Sequence, residues 1–407
     1  MLLSLLLQLG PVLGDVTETG ATVWCRLAVS TPVQVIYGTD PLLAGASLSV
    51  DQVPMDTNDW TLHVQLAGLQ AETRYYYALV APGLPLPNQT ATFDFWTAPP
   101  AGTQRAFSFV VFADASQSPL DPGSAYTAAA SGSPAFALQI GDLDHRNPAT
   151  QGTLAAWRAM HRDHLGGLPQ GAALAALAAR APLYHIWDDH DYGDNNEDGT
   201  APWKSRAMRA FREYFPCPPL PSPMDGNYYS FTWAEAEFFV LDCRFQRSPN
   251  LDPDGPAKTM LGPAQLAWLQ AGLQGSQARW KFLVSSSCWN PHGKPVDSWA
   301  LYGTEQAAIL AAAAGVPGII VISGDIHSSG AIDDGTNSFW PEVSVPATNM
   351  PYPPSGCTGG QGCGTWSQGA LNLGPPSGYC RVDVEPSTVT LNCLDSTGSV
   401  VLSYTVR

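Results

Sequence analysis

Most of the strongly apolar runs in the larger, later part of this chain end on an aspartate. AFSFVVFAD closes on Asp114, PAFALQIGD on Asp142, APLYHIWDD on Asp188 and Asp189, AEFFVLD on Asp242, and PGIIVISGD on Asp325. Near-continuous apolar runs of this length are expected for strands buried on both faces of a sheet. Helical patterns lie between several of them, including GTLAAWRAMHRDHL, AALAALAAR, PWKSRAMRAFREYF, GPAQLAWLQAGL and TEQAAILAAAA. This order argues for a layered α/β domain from about residue 103 to the end. Ligands of such sheets bind at the carboxyl ends of the strands. One strand-terminal aspartate is ordinary loop chemistry. Separate strands delivering Asp114, Asp142, Asp188 with Asp189, and Asp325 to one edge make a candidate site.

Residues 1–100 have a different texture. ATVWCRLA, PVQVIYG, TLHVQLAGL, TRYYYALVA and TATFDFWTA alternate apolar and polar residues between Gly, Pro, Asp and Asn breaks. They read as short strands of a small β-sandwich. The aromatic-rich LQAETRYYYAL fits the long penultimate strand of a fibronectin type III-like module. Pro99 to Gly102 reads as a linker, giving a β-domain over 1–100 and an α/β domain over 103–407. The opening MLLSLLLQLG is apolar, without a basic residue, and too short to span a bilayer. It is either a degenerate signal peptide or, with the pattern that follows, the first strand. No segment reads as transmembrane.

Charge narrows the choice of partner. With 35 acidic against 19 basic residues the formal charge is −16, which argues against nucleic acid or an anionic membrane as the main partner. An anionic substrate would need a local source of positive charge, and bound metal ions are one. The stretch WDDHDYGDNN at 187–196 sharpens the point. Its aspartates repel one another unless it is a solvated loop or cations sit among them. As ligand donors, FADAS offers Asp114, GDLDH offers Asp142 and His145, WDDHD offers Asp189 and His190, and SGDIH offers Asp325 and His327. This mixture suits hard or borderline divalent or trivalent ions, and one carboxylate can bridge two of them. Paired cations polarise a phosphoryl oxygen and generate a hydroxide nucleophile near neutral pH.

The order of these motifs resembles the calcineurin-like metallophosphoesterase superfamily. Within it the chain looks like the alkaline phosphatase D family, on GPVLGDVTETGATVWCR, WDDHDY and SGDIH. AMRAFREYFP (207–216), LDCRFQR (241–247) and LGPAQLAWL (261–269) add to the likeness, which runs from about residue 9 to past residue 330. The resemblance implies a four-layer α/β/β/α metallophosphoesterase sandwich preceded by a fibronectin type III-like β-sandwich. It also implies hydrolysis of phosphomonoesters or phosphodiesters by a metal-bound hydroxide. Carried over by position, Asp114 ligates the first metal and Asp142 bridges. His145 stands where many relatives have a tyrosine, and Asp189 where the superfamily has an asparagine on the second metal. Asp325 and His327 close the second and first sites. His190 acts as general acid or as donor to the phosphoryl oxygen, and Asp188 is expected to hold it. The cofactors expected are two or more metal ions from among Fe, Ca, Mn and Zn. FADAS lacks the cysteine of the best-known form of the family, which argues against an iron–thiolate centre. LVSSSCWNPHG lacks the fourth-motif histidine, and Ser285, Ser286, Asn290 and His292 are the candidates for its place.

Several residues keep two readings. Asn195 is a candidate substrate contact at the end of a stretch that is otherwise turn chemistry. Arg244 either grips a substrate phosphate bidentately or belongs to a structural Asp–Arg pair beneath the site. His161 and His164 read as solvated residues of a helix face, and His185 as a core histidine. Cys380 faces Cys393 across a hairpin centred on residues 385–388, and Cys357 and Cys363 share a Gly-rich loop. Two local disulfides would suit an oxidising compartment, secreted or periplasmic, as would a sequon at Asn88. The leading functional expectation is a dinuclear phosphatase of small organic phosphates. Its rivals are a phosphodiesterase or phospholipase-like hydrolase, and a secreted binding protein with a degenerate phosphatase domain.

Overall fold

The computed structural model describes residues 7–82, 92–116, 121, 123–349, 365–371 and 378–407. Cys357, Cys363 and the sequon at Asn88 lie outside these. The alternating N-terminal text forms β1 (Leu7–Gly14), β2 (Gly20–Leu27), β3 (Gln34–Gly38), β4 (Ser47–Leu48), β5 (Thr61–Ala67), β6 (Arg74–Val80) and β7 (Phe93–Trp96). One sheet has the order β1-β2-β5 and the other β4-β3-β6-β7. Strand neighbours point to opposite faces. On β6, Tyr75 and Tyr77 therefore enter the core while Arg74 pairs outside with Asp94 at 2.7 Å.

The remaining elements are β8 (Phe107–Phe112), α1 (Ser124–Ser131), β9 (Ala137–Ile140), α2 (Leu154–Arg162), α3 (Pro169–Ala178), β10 (Leu183–Ile186), α4 (Asp189–Tyr192) and α5 (Lys204–Tyr214). They continue with β11 (Tyr229–Trp233), β12 (Ala236–Val240), α6 (Gly262–Gly275), β13 (Trp280–Ser285), α7 (Gly303–Ala312), β14 (Ile319–Ser323), β15 (Ala331–Asp334) and β16 (Pro341–Ser344). Last come β17 (Gly369–Ala370), β18 (Gly378–Val384), β19 (Val389–Asp395) and β20 (Val400–Val406). They build two mixed sheets, ordered β10-β9-β8-β18-β19-β20 and β11-β12-β13-β14-β16-β15-β17.

An aromatic seam joins the two sheets face to face. Phe109 and Phe136 each meet the Phe238 ring edge-on at 5.2 Å, and Tyr184 stacks on Phe231 at 3.8 Å. Phe238 turns into this seam, so its neighbour Phe239 faces the other way. There it packs with Leu283 and Val321 against Leu269 and Leu273 of α6 and Ile309 of α7. On the first sheet Tyr126 of α1 meets Phe112 at 4.6 Å. The layers are thus helices, sheet, sheet, helices. The N-terminal sheets share this core: Trp24 donates to the Glu213 carbonyl at 2.8 Å and Tyr77 to the Ala179 carbonyl at 2.7 Å.

Two expectations change here. His161 and His164 are buried, not solvated, because α2 turns His161 inward with Trp157 and Met160 and the helical turn Asp163–Gly167 that follows it buries His164. Cys380 does face Cys393 in the β18–β19 register, but the sulfurs are 3.8 Å apart and both are free thiols. The pair therefore carries no argument about compartment. Among the described residues no helix is long and apolar enough to cross a membrane.

Candidate metal centre

The carboxyl ends of the parallel strands meet at one edge. Asp114 follows β8, Asp142 follows β9, Asp189 opens α4 after β10, and Asp325 and His327 follow β14. The backbone is left-handed at Asp114, Asp142, Asp325 and His327, with φ of 49°, 50°, 63° and 52°. Few non-glycine residues adopt this region, and such strain clusters at functional sites. Gly141 (φ 103°) is needed where it stands, since a Cβ there would lie 2.5 Å from the Cβ of Asp188.

Three overlapping groups have donor atoms within 4.8 Å of one another: Asp142, His145 and His327; Asp114, Asp325 and His327; and Asp142, Asp189 and His190. His145 Nε2 is 3.2 Å from Asp142 Oδ2, and His327 Nε2 is 3.8 Å from Asp114 Oδ1 and 3.6 Å from Asp325 Oδ1. His145 Nδ1 donates to the Ala115 carbonyl at 2.9 Å, an anchor that fixes a ligand imidazole with its other nitrogen inward. Asp114 Oδ2, Asp142 Oδ2 and His145 Nε2 are buried without a hydrogen bond, where buried polar atoms are ordinarily paired. Burial pushes the Asp114 carboxyl up to about 6. Burial, then the Asp189 charge, pushes Asp142 up to about 7. At His145 burial opposes the charged form, but Asp142 outweighs it and raises the imidazole to about 10. Burial holds His190 down at about 4. Buried oxygen and nitrogen donors that resist crowding their own charges fit divalent or trivalent cations.

The far side of the centre carries fixed cations. Asp189 accepts backbone N–H bonds from His190 at 3.0 Å and Asn196 at 2.6 Å. Arg244 Nη2 is 3.8 Å from both Asp189 and Asp325, and Lys294 Nζ is 2.5 Å from Asp325 Oδ2. Burial alone would raise Asp189 and Asp325, yet Arg244 holds the first and Lys294 the second below the usual carboxylate range.

Arg244, a candidate substrate contact from the sequence, sits in the other arrangement, an Asp–Arg pair beneath the site. Its side chain is 0% exposed and all five N–H groups are committed. Nε and Nη2 hold Asp188 at 2.6 and 2.8 Å, Nη1 and Nη2 hold Asp297 at 3.1 and 2.8 Å, and Nη1 also reaches the Glu197 carbonyl at 3.3 Å. Asp188 does not brace His190, because its carboxylate is occupied by Arg244 and by Ser286 Oγ at 2.7 Å. The His190 ring is held through Nδ1 by Asn147 Oδ1, a partner that sequence reasoning missed. Asn195 is exposed, and it is the backbone of its neighbour Asn196 that reaches Asp189. Asp191 is buried and accepts from Leu143 N–H at 2.9 Å, tying α4 to the Asp142 loop.

None of the candidates for the fourth-motif place joins the cluster. Ser285 bonds Ser287 and Trp299, Ser286 bonds Asp188, Asn290 donates to the Thr365 carbonyl, and His292 is exposed. The residue of this loop that does reach it is Lys294.

Two mixed sheets clasped between helices, with a carboxylate–imidazole cluster at their strand ends, define a metallophosphoesterase-like protein. The PhoD-like phosphatase family matches residues 125–353, and the N-terminal domain of PhoD-like phosphatases matches residues 5–93. The chain belongs to the PhoD-like phosphatase family, whose members are phosphoric ester hydrolases. It is 28% identical over 231 residues to alkaline phosphatase D of Bacillus subtilis (strain 168), covering 48% of this chain and 39% of that protein. The chain thus spans well under half the length of this curated relative. The solved structure of PhoD superposes with a TM-score of 0.80 at 20% identity, over 99% of this chain and 90% of that one. Purple acid phosphatase PPD1 from yellow lupin (Lupinus luteus) seeds follows with 0.68 at 14% identity, over 98% and 74%. Both share the fold.

Proposed function

We propose that the chain is a metal-dependent phosphatase of small organic phosphates, hydrolysing phosphomonoesters and, with the same apparatus, phosphodiesters. The observation that carries this reading is the convergence of Asp114, Asp142, Asp189 and Asp325 with His145 and His327, several of their donor atoms buried and unpaired. Asp114, Asp142, His145 and His327 would hold one cation, and Asp142, Asp189 and Asp325 a second. Bound there, such cations polarise a phosphoryl oxygen and acidify water. The chain's own residues do the rest. Asn147 fixes His190 through Nδ1, so Nε2 is the atom that handles a proton on the leaving group or faces a phosphoryl oxygen. Arg244 and Asp188 lie under the carboxylates and hold their spacing. Strand order β1-β2-β5 against β4-β3-β6-β7 supports reading residues 1–100 as fibronectin type III-like, with 103–407 as the catalytic domain.

The test is elemental analysis of purified protein beside rates on an aryl phosphate monoester and diester, before and after chelation. Bound metal with chelator-sensitive phosphate release supports the reading. A metal-free protein that hydrolyses both as fast as untreated protein would end it.

A further inference from the structure

The loop between β13 and α7 brings a cation, not a ligand, to the centre. Lys294 Nζ lies 2.5 Å from Asp325 Oδ2. Among the described residues this is its one close acceptor, and an ammonium has three donors, so two N–H groups remain for a ligand. Its side chain is 11% exposed, near the 16% of His145, whereas Arg244 is 0% exposed with every donor committed. Of the two cations beside Asp325, Lys294 is the one that can touch a substrate. Its position is held firmly. Ser298 Oγ donates to the Lys294 carbonyl, Asn290 Oδ1 accepts from His292 N–H at 2.9 Å, and Trp289 meets Trp299 at 4.8 Å. The preceding Gly293 is pressed against Trp366, where a Cβ would come within 2.7 Å of the indole.

We propose that Lys294 is a phosphate-binding residue of this centre. Its ammonium presents a fixed positive charge to a phosphoryl oxygen from the loop on which a fourth-motif histidine would otherwise ligate a cation. The assignment rests on the phosphatase reading, and it deepens that reading by naming the group that grips the substrate's phosphoryl end. The competing role, that Lys294 only steadies Asp325, makes a different prediction about metal content.

The experiment compares metal-loaded wild type, Lys294→Met, Lys294→Arg and Asp325→Asn. Inorganic phosphate binding is measured by calorimetry, metal content by elemental analysis, and kcat and KM on an aryl phosphate. Expected for Lys294→Met are phosphate binding weakened and KM raised by about 10- to 100-fold, the loss of one charge-assisted contact, at wild-type metal content. Lys294→Arg should recover part of the phosphate affinity. Three results overturn the assignment: unchanged phosphate affinity in Lys294→Met, metal loss in that variant matching Asp325→Asn, or no phosphate binding by the wild type. A wild type that binds phosphate through Lys294 and hydrolyses no ester would leave the assignment standing and remove the phosphatase reading.

Discussion

Arg244 and Asp188 form a bidentate, solvent-excluded pair at 2.6 and 2.8 Å, directly beneath the ligand-bearing turn at Asp189. The same guanidinium reaches to within 3.8 Å of Asp189 and Asp325. One residue therefore offsets the repulsion of carboxylates delivered by both sheets. A flat guanidinium with five donors can do this, and a single ammonium cannot.

Arg244→Met should accordingly destabilise the protein by about 3–5 kcal/mol, since Asp188 would be left buried without a cationic partner, while Asp297 keeps Arg247 at 2.7 Å. Arg244→Lys should recover little of this. Urea unfolding of the three proteins at matched metal content measures it. A loss below 1 kcal/mol in Arg244→Met, on the order of a surface pair, would contradict the role given to Arg244.

The Asn147–His190 contact gives a second prediction. Asn147→Ala frees the His190 ring without touching a ligand carboxylate. Loss of such an orienting partner typically costs about 10- to 100-fold in activity. kcat on an aryl phosphate should fall by that order while metal content and KM stay near wild type. A drop in bound metal would show that Asn147 supports the centre itself.

Much of this centre was legible in the sequence because its chemistry is local to strand ends. Asp114, Asp142, Asp189 and Asp325 each end an apolar run, His327 lies two residues past the last of them, and Gly141 marks the tight turn that lets one of them bend inward. Arg244 was harder, because Asp297, which fixes its place, is 53 residues away and no local spacing links the two. Lys294 lies in a loop whose text offers no ligand spacing, and a lone lysine there carries no local signal of its approach to Asp325. The helix α1 was not anticipated, since SAYTAAAS is a short segment without charge or a strong apolar stripe. His161 and His164 are a different kind of miss. Residues 157, 160, 161 and 164 share one helical face, and the buried Trp157 and Met160 on it already pointed inward.

Metal removal gives the third prediction. The Asp142 carboxylate faces Asp189 and Asp114 in a buried space, and without cations only His145 offsets that repulsion. Asp142→Asn, which relieves the repulsion but takes the counter-charge from His145, should leave the melting temperature of chelated protein near wild type and lower it, relative to wild type, in the presence of metal. Saturation at a hundredfold excess over Kd stabilises the wild type by about 2.7 kcal/mol, which Asp142→Asn should forfeit. Calorimetric scans of both proteins in both states decide it. Destabilisation of Asp142→Asn in the chelated state would mean that Asp142 is mainly a structural residue.

The fourth prediction concerns acid stability. His161 is 1% exposed between the rings of Tyr214 and Phe215, at 5.4 and 5.1 Å, with neither ring nitrogen hydrogen-bonded. Burial holds it well below its ordinary value, and it holds the nearby His185 at about 3. Both are neutral in the folded protein, whereas in the unfolded chain each titrates near the ordinary value of about 6.5. Below that pH the unfolded chain takes up protons that the folded one does not. Their contribution is therefore fully present above about 6.5 and is lost as pH falls toward 3, on the order of 2 kcal/mol per histidine by pH 5. His161→Phe keeps a ring between Tyr214 and Phe215 and removes one titrating group. Unfolding free energies measured from pH 7 to pH 5 should fall less steeply in His161→Phe than in wild type, by the equivalent of one proton. Parallel curves would show that His161 does not set the acid sensitivity.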